Sequence, residues 1–182
     1  DEVILPPIQI KPMLEIVLSL GLKPVIVDIE PETLSFDLNI LQRKINSRTK
    51  VILLTYLYGV VPNIDKLKKI IKNKAIIVED FSQCLNGKFK NKKVGNFGDY
   101  GIYSGSATKT LDTYGGGFLF LKNKRLYDDF KKIQKSFYSF DRLFLIKKVL
   151  LSFYRNILTN RVIFSFITFN LINVIKLFYP AF

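Results

Sequence analysis

An acid and a lysine 29 residues apart mark the chemistry this chain could do. Asp80 ends an apolar run within VEDFSQ (Val78 to Gln83), and Lys109 follows in a loop of small residues, SGSATK (Ser104 to Lys109). An amine of this kind can bond an aldehyde as an imine. A carboxylate can hold a heteroaromatic ring nitrogen in its protonated form, which turns the ring into an electron sink. Pyridoxal phosphate is the cofactor whose chemistry needs that pair. Taken singly, each residue has a plainer reading. A carboxylate after a buried strand is more often a cap or a loop ligand, and one lysine among 28 basic residues is usually solvated. SGSATKT is not a P-loop, because Thr108 stands where that motif carries a glycine before its lysine.

Positioning these two residues falls to alternating elements. Val3 to Pro7, Pro24 to Ile29, Val51 to Gly59 and Ala75 to Phe81 are short apolar runs rich in β-branched residues, as in strands buried on both faces of a parallel sheet. Between them lie helix-like stretches, Met13 to Leu20, Leu38 to Ile45 and Ile64 to Ile71, the last opened by Asn63 as N-cap. The repeated β-α-β order predicts a three-layer α/β/α domain with a mostly parallel sheet and right-handed crossovers. Ligands of such sheets gather at the carboxyl ends of the strands, where Asp80 lies. Gly87 to Ser104 carries four glycines and a lysine cluster, and predicts a short hairpin followed by a strand from Tyr100 to Ser104. A glycine-rich turn, Tyr114 to Gly117, then feeds a strand from Phe118 to Asn123, so Lys109 falls in a loop between two strands. Leu126, Phe130, Ile133 and Phe137 recur at helical spacing and predict an amphipathic helix packed on the sheet domain.

Composition narrows the class. At 182 residues and 48% apolar, the chain can bury a core and is not a disordered polymer. With no histidine and one cysteine, this stretch offers no histidine triad, no Cys/His zinc site and no disulfide framework, and no metal ligation is expected. Cys84 reads as a buried thiol in a reducing cytoplasm. Asp1, Glu2 and Val3 run into a strand without the basic region of a secretory signal. The net charge of +13 is uneven: residues 1–121 hold 16 basic and 12 acidic residues, residues 122–182 hold 12 and 3. An excess gathered in a tail dense in Phe, Leu and Ile, with no reader motif, disfavours a nucleic-acid-binding module. The longest uncharged run there, Val162 to Ile175, is 14 residues, short of the roughly 20 that span a bilayer. Residues 143–182 are therefore expected to lie peripherally on an anionic membrane, with packing on a partner subunit or another domain as the alternative.

The segments DEVILPP, GLKPVIVDIEPETLSFD, RTKVILLTYLYGVVPNIDKLKKI, VEDFSQCLNGKFKNKKVGNFGDYGIYSGSATK and GGGFLFLKN occur in collinear order over residues 1–125. Together they resemble the DegT/StrS family of sugar aminotransferases, fold-type I enzymes that use pyridoxal phosphate, and the interval from Asp80 to Lys109 matches that family's spacing. The resemblance implies that residues 1–125 are part of the cofactor-binding large domain and that residues 126–182 are a helical, basic and apolar extension. It implies that Lys109 bonds the cofactor's aldehyde and later shuttles a proton between substrate and cofactor carbons. Asp80 would pair with the ring nitrogen, Gln83 would lie against the ring near its phenolic oxygen, and Ser104 would hydrogen-bond the phosphate. Family members with histidine in place of the lysine are dehydratases, so Lys109 points to transamination. The implied reaction moves an amino group from an amino acid to a keto-sugar, nucleotide-linked, in cell-surface polysaccharide or sugar biosynthesis, within a cytoplasmic homodimer. Two departures stand out. Ile10 occupies a position where the family often stacks an aromatic ring on the cofactor, and the family's upstream phosphate-binding segment and downstream small domain fall outside this span. They keep open a second class, a non-catalytic binding or regulatory protein that retains the fold.

Overall fold

The computed structural model describes residues 1–106, 109–136 and 141–178, and the chain divides into two units, Asp1–Ser136 and Phe137–Phe182. In the first unit β1 (Glu2–Leu5), α1 (Lys11–Ser19), β2 (Lys23–Ile26), α2 (Leu38–Lys44) and β3 (Thr49–Thr55) follow one another. A single 3-10 turn (Leu57–Gly59), α3 (Ile64–Ile71) and β4 (Ile76–Asp80) come next. Then come a small hairpin of β5 (Lys88–Phe89) and β6 (Lys92–Lys93), β7 (Tyr100–Ser104), β8 (Gly117–Leu121) and α4 (Lys124–Ser136). The main sheet has the order β2-β1-β3-β4-β7-β8, parallel throughout except for β8, which runs antiparallel to β7.

The pleat divides the apolar residues between two faces. Ile4, Ile52, Leu54 and Ile77 pack with Leu41 of α2 and Ile64, Leu67 and Ile71 of α3. Val3, Leu5 and Leu53 pack with Val17 of α1 on the other face. Each such side chain contributes about 1.5–3 kcal/mol on burial. Because both faces are covered by helices, this is the three-layer α/β/α arrangement. A one-residue slip would exchange the two sets of side chains, so the register is firmly held. The chain leaves the sheet centre in opposite directions from β1 and β3, which opens a crevice between the carboxyl ends of those strands.

Local chemistry sets where the elements stop. Asn63 caps α3 by accepting from Lys66 N (3.1 Å), and Asp37 caps α2 by accepting from Asn39 N and Ile40 N. The run expected as one strand from Val51 to Gly59 ends at Thr55, because Tyr58 takes a left-handed conformation (φ 52°) and the chain folds into the 3-10 turn. α4 forms where its periodicity predicts, but it does not pack its apolar stripe on the sheet: Phe130 and Ile133 are exposed and Leu126 is only half-buried. Phe137, the last residue of that stripe, lies outside the described residues.

The second unit contains α5 (Arg142–Leu158), α6 (Arg161–Ile163), one π-helical turn (Phe164–Thr168) and α7 (Phe169–Phe178). The last three run on as one helical stretch of 18 residues, Arg161–Phe178, with mean hydropathy 1.6, long and apolar enough to cross a membrane. This corrects the length argument from the sequence. The uncharged count stopped at Lys176, yet the helix continues two residues further, and a lysine at a helix end can extend its ammonium to the headgroups.

At the amino ends of the strands, opposite the crevice, the carboxylate of Glu2 is almost fully buried and accepts from Asn46 Nδ2 (2.8 Å), with Lys23 Nζ at 3.4 Å and Arg48 Nη2 at 3.3 Å. The Asn46 hydrogen bond, helped by the two cations and opposed by burial, holds its pKa below the ordinary glutamate value. A carboxylate depressed in the folded state stabilises the fold above its unfolded pKa, about 4.3, and loses that contribution as pH falls through the folded value. Denaturant midpoints of the full-length protein are expected to drop on acidification below about pH 4.3. In Glu2→Gln the midpoint should already be lower at neutral pH and that part of the acid dependence should flatten. An unchanged acid slope in the variant would contradict this.

Candidate active site

Asp80 and Glu79 are neighbours in sequence that serve opposite faces of the sheet. Asp80 closes β4 beside Thr55, the last residue of β3, in register. Its Oδ1 accepts from Ser82 N (3.0 Å), a local turn that fixes the carboxylate at the strand end, and its carbonyl accepts from Tyr56 N (2.9 Å). Oδ2 makes no hydrogen bond among the described residues and remains available.

Glu79 points the other way and is fully buried. It accepts from Tyr56 Oη (2.6 Å), Gly95 N (2.7 Å), Phe97 N (2.6 Å) and Gly98 N. Burial, with the Glu79 carboxylate beside it, pushes the Tyr56 phenol far above its usual pKa, so that hydroxyl stays protonated and donates. Asp99 adds a second clasp, its Oδ2 accepting from Ile77 N (2.8 Å). The segment leading into β7 is thereby held to β4.

The loop after β7 is closed on itself. The buried Tyr103 hydroxyl accepts from Leu111 N (2.9 Å) and donates to Leu111 O (3.2 Å). Thr113 N donates to Gly105 O (3.0 Å) and Thr113 Oγ1 to Gly115 O (2.7 Å). Gly105 cannot be replaced without disturbance, since a Cβ there would run into Thr113 Oγ1. This loop carries Lys109, whose amide donates to Ser106 O (3.0 Å).

These elements meet at a cleft of about 190 Å³ at the carboxyl ends of the strands. Ile8, Gln9 and Ile10 reach it from the segment after β1, and Met13 from α1. Thr55, Leu57 and Tyr58 come from the end of β3, Asp80, Ser82 and Gln83 from the end of β4, and Lys109 from its loop. Of the residues singled out from sequence, Asp80, Lys109, Gln83 and Ile10 share this cleft. Gln83 Oε1 accepts from Tyr58 N (3.2 Å), which leaves its amide nitrogen for a ligand, while Ile10 offers an aliphatic surface, 57% exposed. Ser104 is not among the lining residues. Its amide donates to Ser82 Oγ (2.9 Å), and it is Ser82 that faces the cleft.

Sequence reasoning overlooked Thr55, Gln9 and Ser82. Thr55 Oγ1 and Gln9 Oε1 are shielded from solvent and have no hydrogen-bond partner among the described residues. A buried polar atom left unpaired costs about 1–3 kcal/mol, so two of them on one cleft mark a surface shaped for a polar ligand. Thr55 could have been found as the strand end beside Asp80. Nothing in the sequence distinguishes Gln9.

The donor set fits pyridoxal phosphate: an amine for its aldehyde in Lys109, a carboxylate with a free oxygen for its ring nitrogen in Asp80, an amide in Gln83, and two unsatisfied acceptors or donors between them. The cleft is smaller than the roughly 300–1,000 Å³ of small-molecule sites, so the described residues form one wall of the site.

The model of the DegT/DnrJ/EryC1/StrS aminotransferase family matches residues 1–142. GDP-perosamine synthase of Escherichia coli O157:H7 is 31% identical over 129 residues, covering 70% of this chain and 35% of that protein. UDP-2-acetamido-2-deoxy-3-oxo-D-glucuronate aminotransferase of Pseudomonas aeruginosa is 34% identical over 137 residues, covering 74% and 38%. Among solved structures, the sugar aminotransferase CalS13 of Micromonospora echinospora superposes with a TM-score of 0.65 at 29% identity, covering 70% of this chain and 36% of that one. The chain thus spans about a third of the length of the curated relatives it matches.

Proposed function

Because this chain belongs to the DegT/DnrJ/EryC1/StrS aminotransferase family, we propose that the protein transfers an amino group from an amino acid to a keto-sugar, nucleotide-linked, in cell-surface polysaccharide or sugar biosynthesis. The observation that carries this reading is the convergence of Asp80, from the end of β4, and Lys109, from the loop after β7, on one cleft. The nucleotide sugars in the names of two relatives support the substrate class. Pyridoxal phosphate, when bound, supplies the electron sink that lets a C–H bond next to nitrogen ionise.

The chain's own residues do the rest. Lys109 would hold the cofactor through its amine, and that amine would carry the proton exchanged between substrate and cofactor carbons. Asp80 Oδ2 would pair with the ring nitrogen and keep it protonated, an attraction strengthened because Leu57, Met13 and Ile8 keep the cleft wall apolar. The Gln83 amide would donate towards the ring's phenolic oxygen, Thr55 and Gln9 would satisfy their orphaned atoms on the ligand, and Ile10 would pack on the ring in place of an aromatic side chain. Ser104, whose amide is held to Ser82 of the cleft, would serve the phosphate from the end of β7. That the described residues form only one wall of the site supports its completion by a second copy of the chain.

The full-length protein loaded with cofactor should, after borohydride reduction and peptide mapping, carry the label on the peptide containing Lys109. Label on another lysine, or on none, would overturn the assignment and leave a non-catalytic protein of the same fold.

A further inference from the structure

The second unit presents an exposed apolar surface. No part of the Arg161–Phe178 stretch is buried, and Phe166, Leu177 and Phe178 are each more than three-quarters exposed. The charge pattern says what kind of surface would cover it. From Arg142 to the end of the chain there are six basic residues and no acidic one. Four of them, Arg142, Lys147, Lys148 and Arg155, lie on α5. The other two, Arg161 and Lys176, bracket the 14 uncharged residues of the long helical stretch. On α5, Lys148, Ser152, Arg155 and Thr159 recur at a 4-3-4 spacing that forms one polar stripe, and Arg155 Nη2 donates to Ser152 Oγ (3.1 Å). An occupant must therefore offer an apolar interior behind a negatively charged rim, and an anionic bilayer has both.

Two further observations support lipid. Ser165 Oγ donates to Arg161 O (2.8 Å), Asn170 Nδ2 to Phe166 O (3.0 Å) and Thr168 Oγ1 to Leu158 O (2.9 Å). Three of the four uncharged polar side chains between Arg161 and Lys176 thus have their donors satisfied within the chain, as hydrocarbon requires. In addition, a helix of this size reaches about 27 Å at 1.5 Å per residue, close to the roughly 30 Å of a bilayer core.

We infer that residues 142–178 bind an anionic membrane, with α5 in the headgroup layer through its basic stripe and Arg161–Phe178 in the hydrocarbon. This is independent of the proposed reaction. The full-length protein should co-float with phosphatidylcholine vesicles containing phosphatidylglycerol and much less with phosphatidylcholine alone. The combined Lys147→Gln, Lys148→Gln and Arg155→Gln variant should bind roughly a hundredfold more weakly, at about fivefold per basic residue. Depth has its own readout. The chain contains no tryptophan, so Phe169→Trp introduces a single emitter, which lipids brominated along the acyl chain should quench. Three outcomes would overturn the inference: no co-flotation with either vesicle, equal flotation with both, or emission untouched by brominated lipid, which would mean that protein covers this helix.

Discussion

Replacing Asp80 with asparagine in the full-length protein is expected to leave the cofactor bound and to lower turnover on the order of 10²–10³-fold. Asparagine keeps the size of the side chain and can still accept Ser82 N through its carbonyl oxygen, so the turn at the end of β4 survives. What it loses is the negative charge at Oδ2. Under the proposed reading cofactor retention would rest on several contacts, including a covalent one at Lys109, and should change little. The chemical step would depend on a protonated ring nitrogen, and Asp80 is the one acidic residue among the described residues lining the cleft that could hold that proton. The split therefore falls on kcat, with bound cofactor read from its absorbance. Near-normal turnover, or loss of cofactor in step with loss of activity, would contradict this role.

How much of this was legible in the sequence depended on whether a residue's role is local. α3 runs over Ile64–Ile71 behind Asn63, and β7 over Tyr100–Ser104, as their patterns predict, because capping and strand propensity act within a few residues. The strand after Val51 was read too long, since a single left-handed residue, Tyr58, stops it and apolar content does not report φ. Asp80, Lys109, Gln83 and Ile10 were found through a resemblance that already encodes how loops converge. Thr55 was not, because its importance comes from lying opposite Asp80 in the β3–β4 register, a relation across 25 residues that periodicity cannot show. The bond from Ser104 N to Ser82 Oγ was not legible either, because it is set by the placement of β7 beside β4. The apolar stripe of α4 was taken as evidence of packing, whereas an amphipathic pattern states only that something should cover it.

Glu79 is the residue whose loss should cost the fold most, and the sequence disguised it as half of an acidic pair. Alternation along β4 sends one of two adjacent acids inward, and the inward one needs donors. It finds four, the Tyr56 hydroxyl and the amides of Gly95, Phe97 and Gly98. Those amides belong to the segment that enters β7, and Gly98 approaches so closely that an added Cβ would meet Ile77 O at 2.6 Å. Glu79→Ala would leave all four donors buried without an acceptor, a loss on the order of 3–5 kcal/mol. That is a large fraction of the roughly 5–15 kcal/mol that holds a domain together. Glu79→Gln should be milder but still costly, because its amide nitrogen would face two donors. Tyr56→Phe, which removes one donor and leaves the carboxylate three, should cost about 1.5–3 kcal/mol. Denaturant midpoints of the full-length protein should fall in the order wild type, Tyr56→Phe, Glu79→Gln, Glu79→Ala. Since β7 leads directly into the Lys109 loop, the Glu79 variants should also label Lys109 less completely under borohydride reduction before they unfold. A Glu79→Ala protein as stable as the wild type would mean that the hairpin segment is held by Asp99 and its packing alone.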